Sequence, residues 1–451
     1  MNKSSLYTPR DMFAAARDEV EVDNLLNTDI YKFLMLDFIL ANPEYKNINV
    51  KRKMTIRSTD IRTADVIPEE ALREQIEATA ALNWVSEVDI SFLRGMTNPN
   101  WWQLFQKETL DFLKTFKLPE YTVANDGKWN YELTFTGPRS TSLMREIYGL
   151  KIINSLYLYH YIKKEKLSNS EFSEIITRTM GRLYDDIATF KTEPELTFSE
   201  FGTRRSMSTD FHRMVFETLS DRLPNQCVGT SNVLLSREFG RNNPKGTNAH
   251  ELRMIPTALY DDPQKIIDTM YDVDRQRGKH FPWLWILLPD TYGTSFYFDN
   301  CPEDIAQSHD GNRFDSKDPL IWIPEYIQFL KRFDISPKTK VGIPSDGLAA
   351  ASTVNIFQKH NDDLWKLTFG NWTHLTNNTK WTRPRPQEPY GPFWSFSVVV
   401  KPNQVQRPDW TRVSCVKLSD NPKKATGDPQ RIQLFKNIFW TKGMQTENVT
   451  V

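Results

Sequence analysis

The chain has 451 residues, with 57 basic side chains balanced by 57 acidic ones and an isoelectric point near 7.1. That balance excludes a general nucleic-acid or membrane-surface footprint but leaves room for a local basic pocket. Aromatics are abundant (13 Trp, 16 Tyr, 27 Phe), enough for the core of two domains or of one large barrel with additions. The three scattered cysteines, Cys227, Cys301 and Cys415, form neither a disulfide framework nor a metal-ligand spacing, which suits a reducing, cytoplasmic setting.

The N-terminus, "MNKSSLYTPRDMFAAARDEVEVD", is charged and has no apolar signal core. "LLNTDIYKFLMLDFILA" (25–41) places Leu26, Ile30, Phe33, Leu34 and Phe38 near helical spacing, with Asn27 or Thr28 as the cap. "NVKRKMTIRST" (49–59) alternates like an exposed strand. "EEALREQIEATAALN" (69–83) and "WWQLFQKETLDFLKTF" (101–116) read as helices, and "WNYELTFTG" (129–137) as a strand.

From there the chain repeats one texture, in which short apolar or alternating runs end in a small polar corner, most followed by a helix-like stretch. Eight such ends occur: "LTFTGP" (133–138), "FSEFGTRR" (198–205), "QCVGTSN" (226–232), "PKGTNAHE" (244–251), "WILLPDTYG" (285–293), "GNRFDSKDP" (311–319), "KVGIPSDG" (340–347) and "KLTFGNWTH" (366–374). Eight strand ends point to an α/β barrel, irregular because the spacing is uneven, with a doubly wound open sheet as the competing architecture. The apolar run "FPWLWILLP" (281–289) is far too short to span a bilayer and reads as a buried strand. After residue 380 the chain turns proline- and tryptophan-rich, and "FSVVVKP" (396–402) and "RVSCVKLSD" (412–420) then read as strands rejoining the N-terminal layer. The expected division is 1–138 as an N-terminal α/β layer domain, 139–379 as the barrel, and 380–451 as a segment returning to the first domain.

Loops at the carboxyl ends of barrel strands converge on one mouth. The corners would bring Arg204, Arg205, Ser231, His250, Asp290, Arg313, Asp315, Asp318 and Asp346 together there. Arginine forks and free backbone N–H groups suit phosphate oxygens, and neighbouring carboxylates suit a Mg²⁺–phosphate complex or sugar hydroxyls. The chemistry implied is a phosphorylated, sugar-bearing substrate.

The set "NTDIYKFLM", "EFGTRRSMS", "GTSNV", "GTNAHE", "PDTYGT", "GNRFDSKDP", "PSDGL" and "KLSDNPKKATG" resembles, in this order, the nicotinate phosphoribosyltransferase family, most closely its bacterial and fungal branch. The match runs from about residue 24 to about residue 427. It implies a type II phosphoribosyltransferase fold: an irregular α/β barrel plus a discontinuous α/β layer domain built from the N- and C-terminal segments. It also implies a homodimer with shared active sites. The implied reaction joins nicotinate to phosphoribosyl pyrophosphate (PRPP), with ATP as co-substrate and Mg²⁺ carried on the phosphates, and neither nucleic acid nor membrane takes part.

On that resemblance, His250 matches a histidine phosphorylated by ATP, and Tyr31 and Phe201 match aromatics that sandwich the pyridine ring, with Tyr31 supplied by the partner. Arg204 matches the arginine that meets the nicotinate carboxylate. Ser231 stands where the related nicotinamide enzyme carries an acid, which favours nicotinate by avoiding charge repulsion. Asp290, Arg313, Asp315 and Asp346 match positions around the ribose, pyrophosphate and Mg²⁺. Arg205, Thr230, Asp318, Gly347, Gly370 and Thr373 complete the expected PRPP and phosphate contacts. Two residues depart from the pattern: Lys317 replaces a glycine in the "DSGDP" corner, and Trp372 replaces the second glycine of a phosphate-wrapping turn. These departures, with an apparent insertion over 380–393, raise the alternative of a silent or substrate-shifted homologue. An aldolase-like barrel would need a Schiff-base lysine at a strand end, for which Lys317 is the one weak candidate.

Overall fold

The computed structural model describes residues 9–58, 60–82, 86–240, 243–371, 373–381, 393–394, 396–421 and 424–440. Trp372 and most of the 380–393 stretch lie outside them. The class is mixed α/β, built on two sheets.

The first sheet is antiparallel and takes strands from both ends of the chain. Its members are β1 (Asn49–Ile56), β2 (Glu120–Asn125), β3 (Tyr131–Pro138), β12 (Val398–Gln406) and β13 (Arg412–Ser414), in the order β13-β12-β1-β3-β2. "LTFTGP" therefore ends a strand of this antiparallel sheet, not of the expected barrel. The expectation that 49–59 is an exposed strand is corrected too. β1 is central, hydrogen-bonded to β12 on one side and β3 on the other, and its alternate positions are buried. Its Arg52 is fully buried because the Glu251 carboxylate meets it there.

The second sheet is parallel, with β4 (Thr197–Glu200), β5 (Cys227–Thr230), β6 (Ile286–Leu287), β7 (Gly311–Phe314), β8 (Val341–Pro344) and β9 (Lys366–Asn371) in the order β5-β4-β9-β8-β7-β6. Because the last strand pairs with the first, this is the order of a ring opened between β5 and β6. The corner "PKGTNAHE" lies in that opening and forms no strand. It still bridges the gap: Lys245 N–H donates to the Thr230 carbonyl at 2.9 Å, and Asn248 Nδ2 donates to the Ile286 carbonyl at 3.2 Å. Six of the eight expected ends are thus parallel strand ends. The long apolar run 281–289 contributes only the two residues of β6. A short pair, β10 (Lys380–Trp381) with β11 (Phe393–Trp394), stands apart.

The helices follow their local signals. Ile30–Ala41 has Asp29 at its N-cap, one to two residues after the expected cap. Lys107–Lys114 is shorter than the 101–116 pattern suggested. Asn169–Phe190 opens on a capping box in which the Ser168 hydroxyl and the Glu171 carboxylate each satisfy the other's backbone N–H. The 20-residue helix Arg145–Lys164 is buried along most of its length and packs against β12 and the "GTRR" turn, so it joins the two layers. Among the described residues no helix is long and apolar enough to cross a membrane.

Candidate active site

At the end of β4 the chain turns through Gly202 into a short 3₁₀ turn, Thr203–Arg205. Glu200 organises this corner and its neighbour. Its carboxylate accepts from Gly202 N–H, from Thr230 Oγ1 at 2.6 Å on β5, and pairs with His212 Nε2 at 2.9 Å. Burial alone would raise this carboxyl, but His212 and these hydrogen bonds hold it below its usual range.

Two adjoining cavities open at these strand ends. The smaller is lined by Asp29, Tyr31, Phe201, Ser231, Lys245, Gly246, Thr247 and Arg313. It brings together three of the four residues expected around a pyridine ring, and Arg204 stands beside Tyr31 in the wall of the larger cavity. Within this chain Tyr31 and Phe201 line the same cavity. The cause is local: Ile30 N–H donates to the Ser231 carbonyl at 2.8 Å and Ser231 Oγ donates to Asp29 Oδ1 at 2.6 Å, tying the start of the Ile30–Ala41 helix to the end of β5. Ser231 was expected to keep the pocket free of acid, yet it brings the Asp29 carboxyl there. Burial raises that carboxyl above its ordinary range, favouring the neutral acid, which does not repel a bound carboxylate as an anion would.

The larger cavity, of about 390 Å³, falls within the small-molecule range of roughly 300–1,000 Å³. Seven Lys or Arg side chains and two Asp line it, so this neutral protein concentrates positive charge in one place. The cations come from both sheets: Arg57 and Lys401 from the antiparallel layer, Arg204, Arg205 and Arg313 from the parallel strand ends, Lys417 and Lys424 from the C-terminal segment. Burial, and then the neighbouring Arg204, push Arg205 below its ordinary value, while burial takes Lys401 down to about 8 against the pull of Glu146. Cations crowded so closely are relieved by a polyanionic guest. Behind this wall, Lys32 bridges Glu146 (2.6 Å) and Glu251 (3.0 Å), and Arg204 and Lys401 approach the other Glu146 oxygen at 3.7 and 3.9 Å.

His250, just before the helix Glu251–Thr257, sits at the floor of this cavity. Its Nδ1 faces Thr291 Oγ1 at 3.2 Å and Asp290 Oδ1 at 3.6 Å. Its Nε2 lies 2.9 Å from Asp315 Oδ2 and 2.8 Å from Lys417 Nζ. Burial, helped by Lys417 and opposed by the two aspartates, lowers the imidazole to about 4, so it is neutral at pH 7. Burial would raise the Asp315 carboxyl, but Arg313 at 2.6 Å and His250 hold it well below the usual range. His250, Asp290 and Asp315 offer atoms within 4.8 Å of one another, but Asp315 already accepts from Arg313 and Ser345. The set therefore reads as a hydrogen-bonded cluster around a neutral imidazole.

Asp346 and Gly347 line the larger cavity, Asp346 paired with Lys424. Gly347 has φ +63°, a left-handed turn that suits glycine. Asp318, Thr230 and Gly370 do not line it. Asp318 caps the helix Pro319–Arg332 by accepting from Leu320 N–H at 2.9 Å, and Thr230 is spent on Glu200. Gly370 backs onto the Phe201 ring. Thr373 begins the short helix Thr373–Thr376. Lys317 points to Glu325 at 2.6 Å and is not a cavity-wall residue.

Sequence reasoning missed Asp29, Lys245, Arg57, Lys401, Lys417 and Lys424. Asp29, Lys245, Lys417 and Lys424 lay inside quoted motifs, whereas Lys401 lies on an alternating strand and Arg57 one residue past another, and neither carries such a signal.

A model of the nicotinate phosphoribosyltransferase (NAPRTase) family matches residues 196–442. Among solved structures, a nicotinate phosphoribosyltransferase from Porphyromonas gingivalis is 25% identical, covering 92% of this chain and 99% of that one, with a TM-score of 0.77. One from Vibrio cholerae shares the fold at 24% identity and a TM-score of 0.80, covering 96% of each chain. Matched over more than half its length, with a cationic mouth and a neutral buried histidine at the strand ends, this chain belongs to the nicotinate phosphoribosyltransferase family.

Proposed function

We propose a division of roles for the reaction that family membership assigns to this chain, nicotinate phosphoribosylation for NAD biosynthesis. Nicotinate enters the smaller cavity, stacked between Tyr31 and Phe201, with its carboxylate toward Arg204 and the Asp29–Ser231 pair. PRPP takes the larger cavity, its phosphates among Arg57, Arg205, Lys401 and Lys424 and its ribose near Asp346. Mg²⁺ arrives on the pyrophosphate. The bond from the anomeric carbon to pyrophosphate breaks through an oxocarbenium-like transition state while the pyridine nitrogen attacks, and the departing charge is held by the cationic wall. No protein nucleophile is needed for that step. ATP phosphorylates His250, whose neutral imidazole has a lone pair for attack.

The observation that carries this reading is the shared wall. Tyr31 and Arg313 line both cavities, so a ring in one lies beside a sugar phosphate in the other. Lys317, bound to Glu325, lends no support to a silent homologue.

The test is product formation from nicotinate and Mg²⁺–PRPP with and without ATP, with nicotinamide in parallel. Arg204→Met should raise the KM for nicotinate about 10- to 100-fold, the range for losing a charged hydrogen bond. His250→Ala should abolish stimulation by ATP. Nicotinamide turned over in preference to nicotinate would overturn the assignment of the base.

A further inference from the structure

The environment of His250 contains an arrangement that the roles above leave unused. The two Nε2 neighbours, Asp315 and Lys417, line the larger cavity, whereas the Nδ1 neighbours, Thr291 and Asp290, do not. Nε2 is therefore the nitrogen that faces an incoming phosphate. Its two partners make opposite demands. The Asp315 carboxylate accepts only if Nε2 carries the proton, and a protonated Nε2 has no lone pair for attack. The Lys417 ammonium can only donate, so it selects the tautomer with Nε2 bare and the proton on Nδ1, directed to Thr291 and Asp290.

Lys417 is fixed for this task. Its backbone N–H donates to the Thr426 carbonyl at 3.0 Å and its carbonyl accepts from Thr426 N–H at 2.9 Å, while Leu418 N–H donates to the Thr291 carbonyl at 2.9 Å. The lysine is therefore anchored to the segment that carries Asp290 and Thr291. The side chain is buried, with Nζ 2.8 Å from Nε2 and 3.5 Å from Asp290 Oδ2. Arg313 meanwhile holds the competing Asp315 by its other oxygen.

We propose that Lys417 is a catalytic residue of the phosphoryl step, holding His250 with Nε2 bare as the acceptor and then binding the transferred group. This rests on the reading that ATP phosphorylates His250. The Nε2 lone pair forms the bond to the γ-phosphorus as the bond to the bridging oxygen breaks, and that electron pair leaves with ADP. The Nδ1 proton stays in place, with Asp290 balancing the positive charge that develops on the ring. No base has to remove a proton first. Lys417, displaced from Nε2 by the new bond, donates instead to a phosphoryl oxygen.

The experiment uses the full chain with Lys417→Met and Lys417→Arg. Single-turnover labelling with [γ-³²P]ATP and Mg²⁺ measures phosphohistidine formation, ³¹P NMR identifies the nitrogen modified, and ¹⁵N NMR of the resting enzyme reads the His250 tautomer and its titration. The parent should carry phosphate on Nε2. Lys417→Met should be phosphorylated about 10²-fold more slowly, in the range for loss of one transition-state donor. Its resting imidazole should move to the Nε2–H tautomer and titrate at higher pH than the parent's, and Lys417→Arg should restore the parent tautomer. An unchanged labelling rate or an unchanged tautomer in Lys417→Met overturns the proposal. A parent that takes no phosphate on His250 refutes the reading beneath it, and the tautomer measurement, which needs no ATP, separates the two failures. If Lys417→Met does not fold, Lys417→Leu, which likewise has no donor, is read by the same criteria.

Discussion

Gly370→Ala separates the two readings of that glycine. The sequence pattern places Gly370 in a phosphate-wrapping turn, whereas the structure places its Cα against the aromatic face of the base cavity. A Cβ built there lies 2.5 Å from both Cδ2 and Cε2 of Phe201 and 3.2 Å from Ser345 Cβ. Carbon atoms rest at roughly 3.5–4.0 Å, so the ring must retreat by about 1 Å. The ring lines the cavity shared with Tyr31 and Ser231, and a retreat into that space disturbs the stacking surface for the base. Losing one stacked aromatic contact costs about 0.5–1.5 kcal/mol, which is about 2- to 12-fold in the KM for nicotinate. The strain should lower stability by about 1–3 kcal/mol, as other overpacked interiors do. The assay is steady-state product formation with nicotinate varied at saturating PRPP, then the reverse, with urea denaturation as the stability measure. The reasoning is refuted if the KM for PRPP rises while that for nicotinate stays at the parent value, because Gly370 would then act on the phosphate.

Three further outcomes are expected. His250 has a folded-state value near 4, below the usual 6.5, so its neutral form persists across pH 5–8; phosphohistidine formation should show no acid limb near pH 6.5, and the stability linked to this group, complete above pH 6.5, should be lost as pH falls toward 4. A limb centred at 6.5 in a single-turnover pH profile would contradict the burial argument. Lys32→Met strands Glu146 and Glu251 beside a reduced set of cations, and breaking a buried pair this way costs about 3–5 kcal/mol, measurable as a lower urea midpoint; a midpoint within error of the parent's would show the network to be solvated. Because Tyr31, Phe201, Ser231, Arg204 and His250 meet within one chain, specific activity should hold constant on dilution; activity that falls in step with dissociation, followed by sedimentation, would mean a second copy completes the site.

The sequence by itself determined the α/β class, the order of the corners and the position of His250, because strand alternation, helix spacing and glycine-led turns are local signals that survive without knowledge of neighbours. The helix Ile30–Ala41 and six of the strand ends follow from such patterns directly. Only the tertiary structure decided which corners pair into which sheet: "LTFTGP" alternates like any strand end, but its partner β1 lies some eighty residues earlier. The same holds for the chemistry. Ser231 meets Asp29 across 202 positions, and Lys417 meets His250 across 167. No periodicity spans those separations, so the acid in the base pocket, the chain's own Tyr31 beside Phe201 and the lysine on the phosphate-facing nitrogen emerge only when the parallel sheet and the antiparallel layer come together. Burial at that junction then sets the protonation of each group, and with it what the site can do.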